Sequence, residues 1–507
     1  MKRKSIISIM LLFTLAFAMV SCEKDFLDIN TDPNNPAESS VQLTLPAGIA
    51  SSAYVIGGYY QLLGGFWAQH WTQSVGASQW RELDAYNLQS TDFDTRQWGQ
   101  LYAGALSDLK WVRDNSRSTQ NWSYYLMSTA MQAYTYQVLA DLYDKIPFSE
   151  ALQGLGGNTT PKWDNGQNVY DALIVMLNEA LSHDYKTFKS VNNPTATALE
   201  PGTDDVIFGG NMDKWEQFVN TLKLKIYLHQ SYKRPTVAQA GIQQMFTANA
   251  PFLTSDAVFA NFENQQNKRN PVYETFIDRL AGNISVSKTI FSFLNANTDP
   301  RLPMLINKNQ KTPAQYVCLA QGDFFNTTLG TGANIQNLST PVLNPTDPVV
   351  FFSASESYFM QAEAVLRMSV AGDAKALYEQ GINASFTKLG VTGASTLYGA
   401  GGPYEYPVAG TEEQKLEKII VQKWVAMTNF QSLEAFLEQS RTHYPKISTV
   451  PASDASYVPG EWTISLNNTT ANQWPKRLLF PESERKRNPN TPALVPLTTK
   501  VWWDVKP

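Results

Sequence analysis

Residues 353–386 read SASESYFMQAEAVLRMSVAGDAKALYEQGINASF, and this stretch predicts two helices joined by a tight turn. Ser353 followed three residues later by Glu356 has the order of a capping box, which opens a helix. Residues 371–373, Ala-Gly-Asp, supply the turn. Apolar side chains recur three or four apart on both sides of it: Phe359, Ala362, Leu366, then Leu377, Tyr378, Gly381, Ile382 and Phe386. Small residues where the helices cross, Ala362 and Gly381, indicate a tetratricopeptide-type hairpin.

The same periodicity extends outward from this hairpin. It predicts helices over Asn121–Tyr143, with Met127, Met131, Tyr134, Val138 and Leu142 as one apolar face, and over residues 169–180. Asp213 with Glu216 predicts the cap of a third helix. Thr411-Glu412-Glu413-Gln414 predicts the cap of another, whose partner spans residues 433–439. The sequence therefore favours an all-α fold with little β structure.

Other stretches break this pattern. Residues 40–69 predict a helix interrupted by the glycine pairs Gly57-Gly58 and Gly64-Gly65. Residues 235–348 are rich in Asn, Thr, Gly and Pro and predict loops with a few short helices, and such long irregular stretches are usually functional. From Ser448 onward, Pro, Asn and Trp accumulate and predict an extended segment wrapped around the helices.

The composition limits the kind of ligand. Charged residues make up 17% of the chain and the formal net charge is −5, so nucleic acid is not expected as a partner. A surface covered by amides, hydroxyls and aromatics suits uncharged, hydroxyl-rich ligands. The four histidines show no metal-ligand spacing, and we expect neither a metal nor a cofactor.

The N-terminus predicts a lipoprotein signal. Lys2-Arg3-Lys4 precedes an apolar run, Ile6–Val20, and small Ser21 precedes Cys22, an arrangement similar to the lipobox of bacterial lipoproteins. We expect a signal peptide over residues 1–21, a lipidated Cys22 with a tether over 22–40, and a single helical domain over 41–507. The alternative is ordinary cleavage that leaves Cys22 as a free thiol.

Aromatic side chains among polar residues indicate the ligand site, because Trp and Tyr faces suit the C–H surfaces of sugars. The candidates are Trp80, Tyr86 and Trp98 with the neighbouring Gln79, Arg81 and Asn87, and Phe324 and Phe325 in a later loop. Trp67 and Trp71 lie four apart on a predicted helix and are better explained as core.

Two other functions are open to this sequence. A helical glycoside hydrolase needs paired carboxylates, for which Asp141 with Asp144, or Glu356 with Glu363, could be nominated. These residues lie at helix ends, caps and packing positions, so the sequence favours structural roles for them. A tetratricopeptide scaffold for envelope proteins fits the hairpins but leaves the tryptophan-rich loops unexplained.

Several stretches together resemble the SusD/RagB-like family of outer-membrane nutrient-binding lipoproteins, in particular its branch with Asp-Pro-Asn after the lipidated cysteine. They are residues 22–36, 141–151 (DLYDKIPFSEA), 215–224 (WEQFVNTLKL), 356–364 (ESYFMQAEA), 419–436 and 477–484 (RLLFPESE). The resemblance spans the mature chain.

This resemblance implies a fold of four tetratricopeptide-like helix pairs that support a loop-rich ligand-binding half. It also implies a place on the cell surface, anchored in the outer membrane through Cys22, and a partner, a TonB-dependent (SusC-like) transporter. We therefore expect a protein that captures oligosaccharide or polysaccharide and delivers it to the transporter without catalysis. Capture of peptide or another nutrient in the same role is the alternative.

Overall fold

The computed structural model describes residues 39–187, 199–326, 328 and 337–506. The predicted signal peptide, Cys22 and most of the tether lie outside these ranges. Helices dominate the described residues and the strands are short. The predicted fold class, all-α with little β structure, is confirmed.

Eight of the α-helices in the described ranges form four consecutive pairs. In chain order the α-helices are α1 (Val41–Val55), α2 (Gln61–Trp67), α3 (Arg81–Asp84), α4 (Ser107–Ser118), α5 (Trp122–Tyr143), α6 (Gly166–Leu181), α7 (Met212–His229), α8 (Pro235–Thr247), α9 (Lys288–Ala296), α10 (Leu302–Leu305), α11 (Ala354–Arg367), α12 (Ala374–Lys388), α13 (Ala394–Tyr398), α14 (Glu412–Ala426), α15 (Ser432–Thr442) and α16 (Glu482–Arg487). Helix α5 packs on α6, α7 on α8, α11 on α12, and α14 on α15.

Short strands and π-helical segments connect the helices. The strands are β1 (Trp71–Gln73), β2 (Lys145–Pro147), β3 (Trp163–Asn165), β4 (Ala257–Phe259), β5 (Ile284–Val286), β6 (Ile306–Asn307), β7 (Thr340–Pro341) and β8 (Val349–Phe352). They form antiparallel two-stranded ladders, β1 with β5, β2 with β3, β4 with β8 and β6 with β7. The π-helical segments in the described ranges are π1 (Ile56–Tyr60), π2 (Asp94–Trp98), π3 (Gln100–Leu106) and π4 (Tyr273–Asp278).

Helix α5 is the centre of the core. Every residue from Ser123 to Tyr143 is buried, so the prediction of a single apolar face was too narrow. Helices α1, α4, α6 and α7 surround it on all sides. Several of its polar side chains are paired: Gln132 accepts a hydrogen bond from Arg113, and the Thr135 hydroxyl is hydrogen-bonded to the Ser52 hydroxyl.

The hairpin of α11 and α12 forms as predicted. Gly381 lets the helices approach closely, because a Cβ there would lie 2.7 Å from Cε1 of Phe359. The Ser353 hydroxyl accepts the backbone N–H of Glu356 at 3.1 Å. The Glu356 side chain does not complete the capping box; it turns inward to Gln431 and Lys225.

Two other predicted helix starts differ in outcome. Thr411 and Gln414 form the full capping box that the sequence predicts. The cap proposed at Asp213 was wrong, because Asn211 is the N-cap of α7 and its side chain accepts the backbone N–H of Lys214. The long segment predicted as mostly loop also begins with a 13-residue helix, α8, in which Gly241 packs against the ring of Tyr227.

The C-terminal segment packs against the helices, in agreement with the predicted extended segment wrapped around them. It is mostly irregular, and it buries Trp462, Trp474, Phe480 and Trp503. The indole N–H of Trp503 donates to Asp141 at the end of α5, at 2.8 Å. The last residues of the chain thus complete packing around its central helix.

The glycine pairs near the N-terminus have different roles. Gly57 and Gly58 lie in π1, whereas Gly64 and Gly65 lie within α2 and do not interrupt it. A Cβ on Gly64 would lie 2.0 Å from the backbone nitrogen of Leu433, because α2 crosses α15 there at backbone contact. Gln61 fixes the crossing through two hydrogen bonds to Ser432.

We expect Gly64→Ala to lower the free energy of unfolding by about 3 kcal/mol or more, since backbone atoms of α15 cannot yield as a flexible side chain would. Gly99→Ala is the matched control, because Gly99 has helical backbone angles and a Cβ there would meet no described atom within 4 Å. The control should be neutral or slightly stabilising. Urea titration monitored by circular dichroism measures both variants, and equal midpoints would contradict the backbone contact.

Candidate functional site

A buried carboxylate organises the loops that follow α2. Asp84 is fully buried, and it accepts hydrogen bonds from the Thr72 hydroxyl (2.7 Å), the Gln73 backbone N–H (2.8 Å) and the Gln321 side-chain amide (2.5 Å). Burial raises the pKa of Asp84 to about 6, and the hydrogen bonds oppose that shift. Asp84 therefore joins two segments that are far apart in the sequence.

A third segment completes this loop junction. The Gly322 backbone N–H donates to Thr72 at 3.1 Å, and the Gly322 carbonyl accepts from the Asn467 amide at 2.7 Å. The Leu466 backbone N–H donates to the Gln321 carbonyl at 3.0 Å. Gly322 has a φ of +75°, a conformation that favours glycine. The junction fixes the direction in which the loop after Gly322 leaves the core.

That loop carries two of the aromatic residues predicted from the sequence. The guanidinium carbon of Arg81 lies 5.6 Å from the ring centre of Phe324 and 4.8 Å from that of Phe325. Phe324 is buried, whereas Phe325 is 61% exposed. An Arg guanidinium over an aromatic ring is an attractive cation–π arrangement. We call Gln79, Trp80, Arg81, Phe324 and Phe325 the Phe325 patch.

The remaining members of the patch lie beside Arg81. Gln79 is exposed, and its backbone N–H donates to Asn283 at 3.1 Å. Trp80 is half-buried, with its ring edge-on to Phe276 at 5.2 Å between centres. Asn87 is half-buried and donates to Glu82 on the other side of α3. The structure thus brings together five of the eight predicted ligand residues.

Tyr86 and Trp98 are placed in the core, so we correct the expectation that they contact ligand. Tyr86 is 1% exposed and packs on Trp474. Trp98 is 3% exposed and stacks on Trp163 at 5.4 Å, with its indole N–H donating to Glu484. Their covering residues come from distant parts of the chain. Trp67 and Trp71 are fully buried, as predicted.

The carboxylates nominated for catalysis have structural partners. Asp141 accepts hydrogen bonds from Trp503 and from the Tyr170 hydroxyl, and Asp144 accepts the backbone N–H of Trp502. Glu363 receives two hydrogen bonds from Arg441, at 2.7 and 2.6 Å. Asp141, Glu356 and Glu363 are buried. The structural interpretation of these residues is therefore favoured.

These acids belong to a larger buried cluster, which we call the ionic core. Its members are Asp141, Lys225, His229, Glu356, Glu363, Lys423, Glu434, Glu438 and Arg441. Lys225 lies 2.5 Å from Glu434, and Arg441 lies 2.7 Å from Glu438. Charges buried this deeply are stable only when paired.

The charges within the ionic core fix one another's protonation. Burial alone raises the pKa of Glu434, but Lys225 and His229 outweigh it and lower that pKa to about 2. Burial alone lowers the pKa of His229, but Asp141 and Glu434 raise it to about 10. His229, Glu434 and Glu438 have the spacing of metal ligands. Because Lys225, Lys423 and Arg441 already neutralise these carboxylates, we interpret the cluster as ionic packing.

One cavity was not anticipated from the sequence. It has a volume of about 620 Å³ and lies between the end of α1, the loop after β4 and π4. Tyr54, Phe262, Arg269 and Glu274 line it. These residues come from separate segments, and none of them was among the ligand residues predicted from the sequence. Only the folded chain brings them together.

The protein is thus mostly helical, with paired helices. Its loops are held by the junction at Asp84 and form a surface that is distinct from the helices and carries the aromatic patch. In the ranges that the structure describes, no helix is both long and apolar enough to cross a membrane. The chain belongs to the SusD-like family described as starch-binding associating with outer membrane, whose model matches residues 40–461. The resemblance to the SusD/RagB-like family is thereby confirmed.

Solved structures share this fold. A SusD homologue from Bacteroides uniformis has a TM-score of 0.72 at 22% identity, covering 91% of this chain and 99% of that one. A chitin-binding SusD homologue from Flavobacterium johnsoniae has a TM-score of 0.72 at 21% identity, with the same coverage. A SusD homologue from Bacteroides thetaiotaomicron has a TM-score of 0.72 at 20% identity, covering 93% of this chain and 100% of that one. No match is found among curated proteins.

We expect Arg441→Met to lower the free energy of unfolding by about 3–5 kcal/mol, because it leaves Glu363 and Glu438 buried without their main partner. Arg485→Met is the control, since Arg485 forms a surface ion pair with Glu482 and such pairs contribute little. Urea denaturation at neutral pH measures both variants. A small effect of Arg441→Met would show that the ionic core is not essential to stability.

Proposed function

We propose that this protein is a cell-surface lipoprotein that binds oligosaccharide or polysaccharide and delivers it to a TonB-dependent outer-membrane transporter, without catalysis. The family description, starch-binding associating with outer membrane, supports both the cargo and the location. The chitin-binding relative supports a glycan rather than a peptide. The predicted signal peptide and Cys22 supply the anchor.

The Phe325 patch carries the proposal. Phe325 presents an exposed ring that a sugar can stack against, and Arg81 holds that ring from one side. The guanidinium offers N–H donors to sugar hydroxyls while staying charged at any physiological pH. Gln79, two residues before Arg81 in the chain, is also exposed. An aromatic face with a few polar groups is the usual composition of a site that orients a neutral ligand.

The partners of the nominated carboxylates support a role without catalysis. Glycoside hydrolysis needs two carboxyl groups that flank the bond to be broken. The acids nominated for that role are hydrogen-bonded inside the protein, to Trp503, Arg441 and Gln431 among others. Binding followed by transfer needs only that the cargo be held and released.

We expect Phe325→Ala to weaken glycan binding about tenfold or more, because stacking and burial on an aromatic ring contribute on the order of 1–2 kcal/mol. Arg81→Ala should weaken it by a similar factor. Trp111→Ala is the matched control, since Trp111 is a partly exposed aromatic outside the patch. Detergent-solubilised full-length protein is titrated calorimetrically with maltoheptaose, chitohexaose and a peptide library, and the same samples are assayed for new reducing ends.

Unchanged affinity in both Phe325→Ala and Arg81→Ala would remove the patch as the site. Binding of peptides alone would assign the alternative cargo. New reducing ends would overturn the non-catalytic role. A fall in affinity for Trp111→Ala equal to that for Phe325→Ala would indicate a general loss of folding, which thermal melting of each variant detects independently.

We expect Cys22→Ala to release the protein from the membrane, because stable anchoring requires acyl chains on that residue. Cys318→Ala is the matched control, since the Cys318 thiol lies within the fold, where burial raises its pKa to about 12. Fractionation of cells that express each variant measures the outcome. A membrane-bound Cys22→Ala protein would contradict the predicted anchor.

A further inference from the structure

The 620 Å³ cavity lies apart from the Phe325 patch and shares no lining residue with it. Tyr54 of α1 forms one wall, and its ring is 47% exposed. Phe262, in the loop after β4, is half-buried and packs on Phe259. Gln100 lines the cavity too, and its amide donates to Ser51 at 3.1 Å. The cavity therefore combines aromatic surface with amide and hydroxyl groups.

Two π-helical segments contribute lining residues to this cavity. Gln100 begins π3, and Glu274 lies in π4. A π-helical turn is rare and is found frequently at functional sites, because it redirects side chains that a regular helix would place elsewhere. In π4 the turn places Glu274 in the cavity wall.

Glu274 has an unmet hydrogen-bonding capacity. Glu274 is only 7% exposed. One of its carboxylate oxygens accepts a hydrogen bond from Arg279 at 2.8 Å. The other oxygen, Oε2, has no hydrogen-bond partner among the described residues, and Arg269 stands 3.6 Å from it. A buried acceptor without a donor is unfavourable. A ligand hydroxyl in the cavity would supply the missing donor.

The charges around the cavity balance, which indicates a neutral ligand. Lys268 pairs with Glu263 at 3.0 Å, Arg279 with Glu274, and Arg269 with Asp278 at 2.9 Å. An anionic ligand would have to compete with these carboxylates for the basic groups, and a cation would meet the guanidinium groups. A sugar ring matches the cavity better, because it offers hydroxyl donors to Glu274 and C–H faces to Tyr54.

We propose that this cavity is a second saccharide-binding site, which takes a neutral sugar unit with a hydroxyl on Glu274 and a ring face on Tyr54. The inference rests on the proposed function in that it takes the cargo to be a glycan. Segment π4 borders both sites, since Phe276 contacts the Trp80 ring. Two sites on one glycan chain raise the overall affinity through effective concentration.

The test is a calorimetric titration of the full-length protein with maltoheptaose and chitohexaose, combined with hydrogen–deuterium exchange of the saturated complex. Tyr54→Ala removes an exposed ring and Glu274→Gln keeps the shape of the side chain while removing its charge. We expect each to weaken binding about tenfold and to abolish ligand protection over residues 261–279, while protection over residues 319–326 persists. Phe325→Ala should abolish ligand protection over residues 319–326, while protection over residues 261–279 persists. Trp111→Ala should change neither.

The outcomes separate the two proposals. Unchanged affinity and protection in both Tyr54→Ala and Glu274→Gln would overturn the second site and leave the Phe325 patch standing. Loss of protection at both regions in Phe325→Ala alone would also overturn it, because a single site would then account for all binding. A third outcome is that ligand protects residues 261–279 from exchange in Phe325→Ala, whereas it protects no residues over 319–326 in the wild type. This outcome would support the cavity as a site and would exclude the Phe325 patch. No binding of either saccharide would overturn the cavity as a site for these neutral sugars.

Discussion

The burial of opposite charges between α7, α11 and α15 is the constraint on which the other packing depends. Lys225 of α7 meets Glu434 of α15, and Arg441 of α15 meets Glu363 of α11. Each of these groups would be strongly destabilising if it lacked its partner. Because the partners lie on different helices, a helix cannot slide or rotate without breaking an ion pair. The ionic core thus specifies one arrangement of helices that apolar contacts alone would leave less defined.

The loop face is held by different means. Its junction consists of a carboxylate, Asp84, surrounded by neutral donors from Thr72, Gln73 and Gln321. The side chains that face solvent there, such as Phe325, take little part in this network. The helices and the junction are therefore structurally independent of the exposed loop side chains. Substitutions at exposed loop positions can change the loop surface while the helices and the junction retain their geometry.

The sequence predicted most features that depend on local order, although the cap at Asp213 was wrong, and it failed where contacts between distant residues decide. The hairpin of α11 and α12 and the capping box at Thr411 follow from spacing within a few residues. Trp98 lies among polar neighbours in the sequence, yet Trp163 covers it in the fold. Arg81 and Phe325 are both among the ligand residues predicted from the sequence, but no sequence pattern indicates that they are in contact. The Tyr54–Glu274 cavity has no sequence signal, because its lining residues lie far apart in the chain.

The contact between Trp503 and Asp141 has a consequence for the order of events in folding. Asp141 lies near the end of the central helix α5, and Trp503, one of the groups that donate to it, lies 362 residues further along the chain. The packing around α5 therefore cannot be completed before residue 503 has been made. A polypeptide of this design keeps part of its central helix uncovered through most of its synthesis.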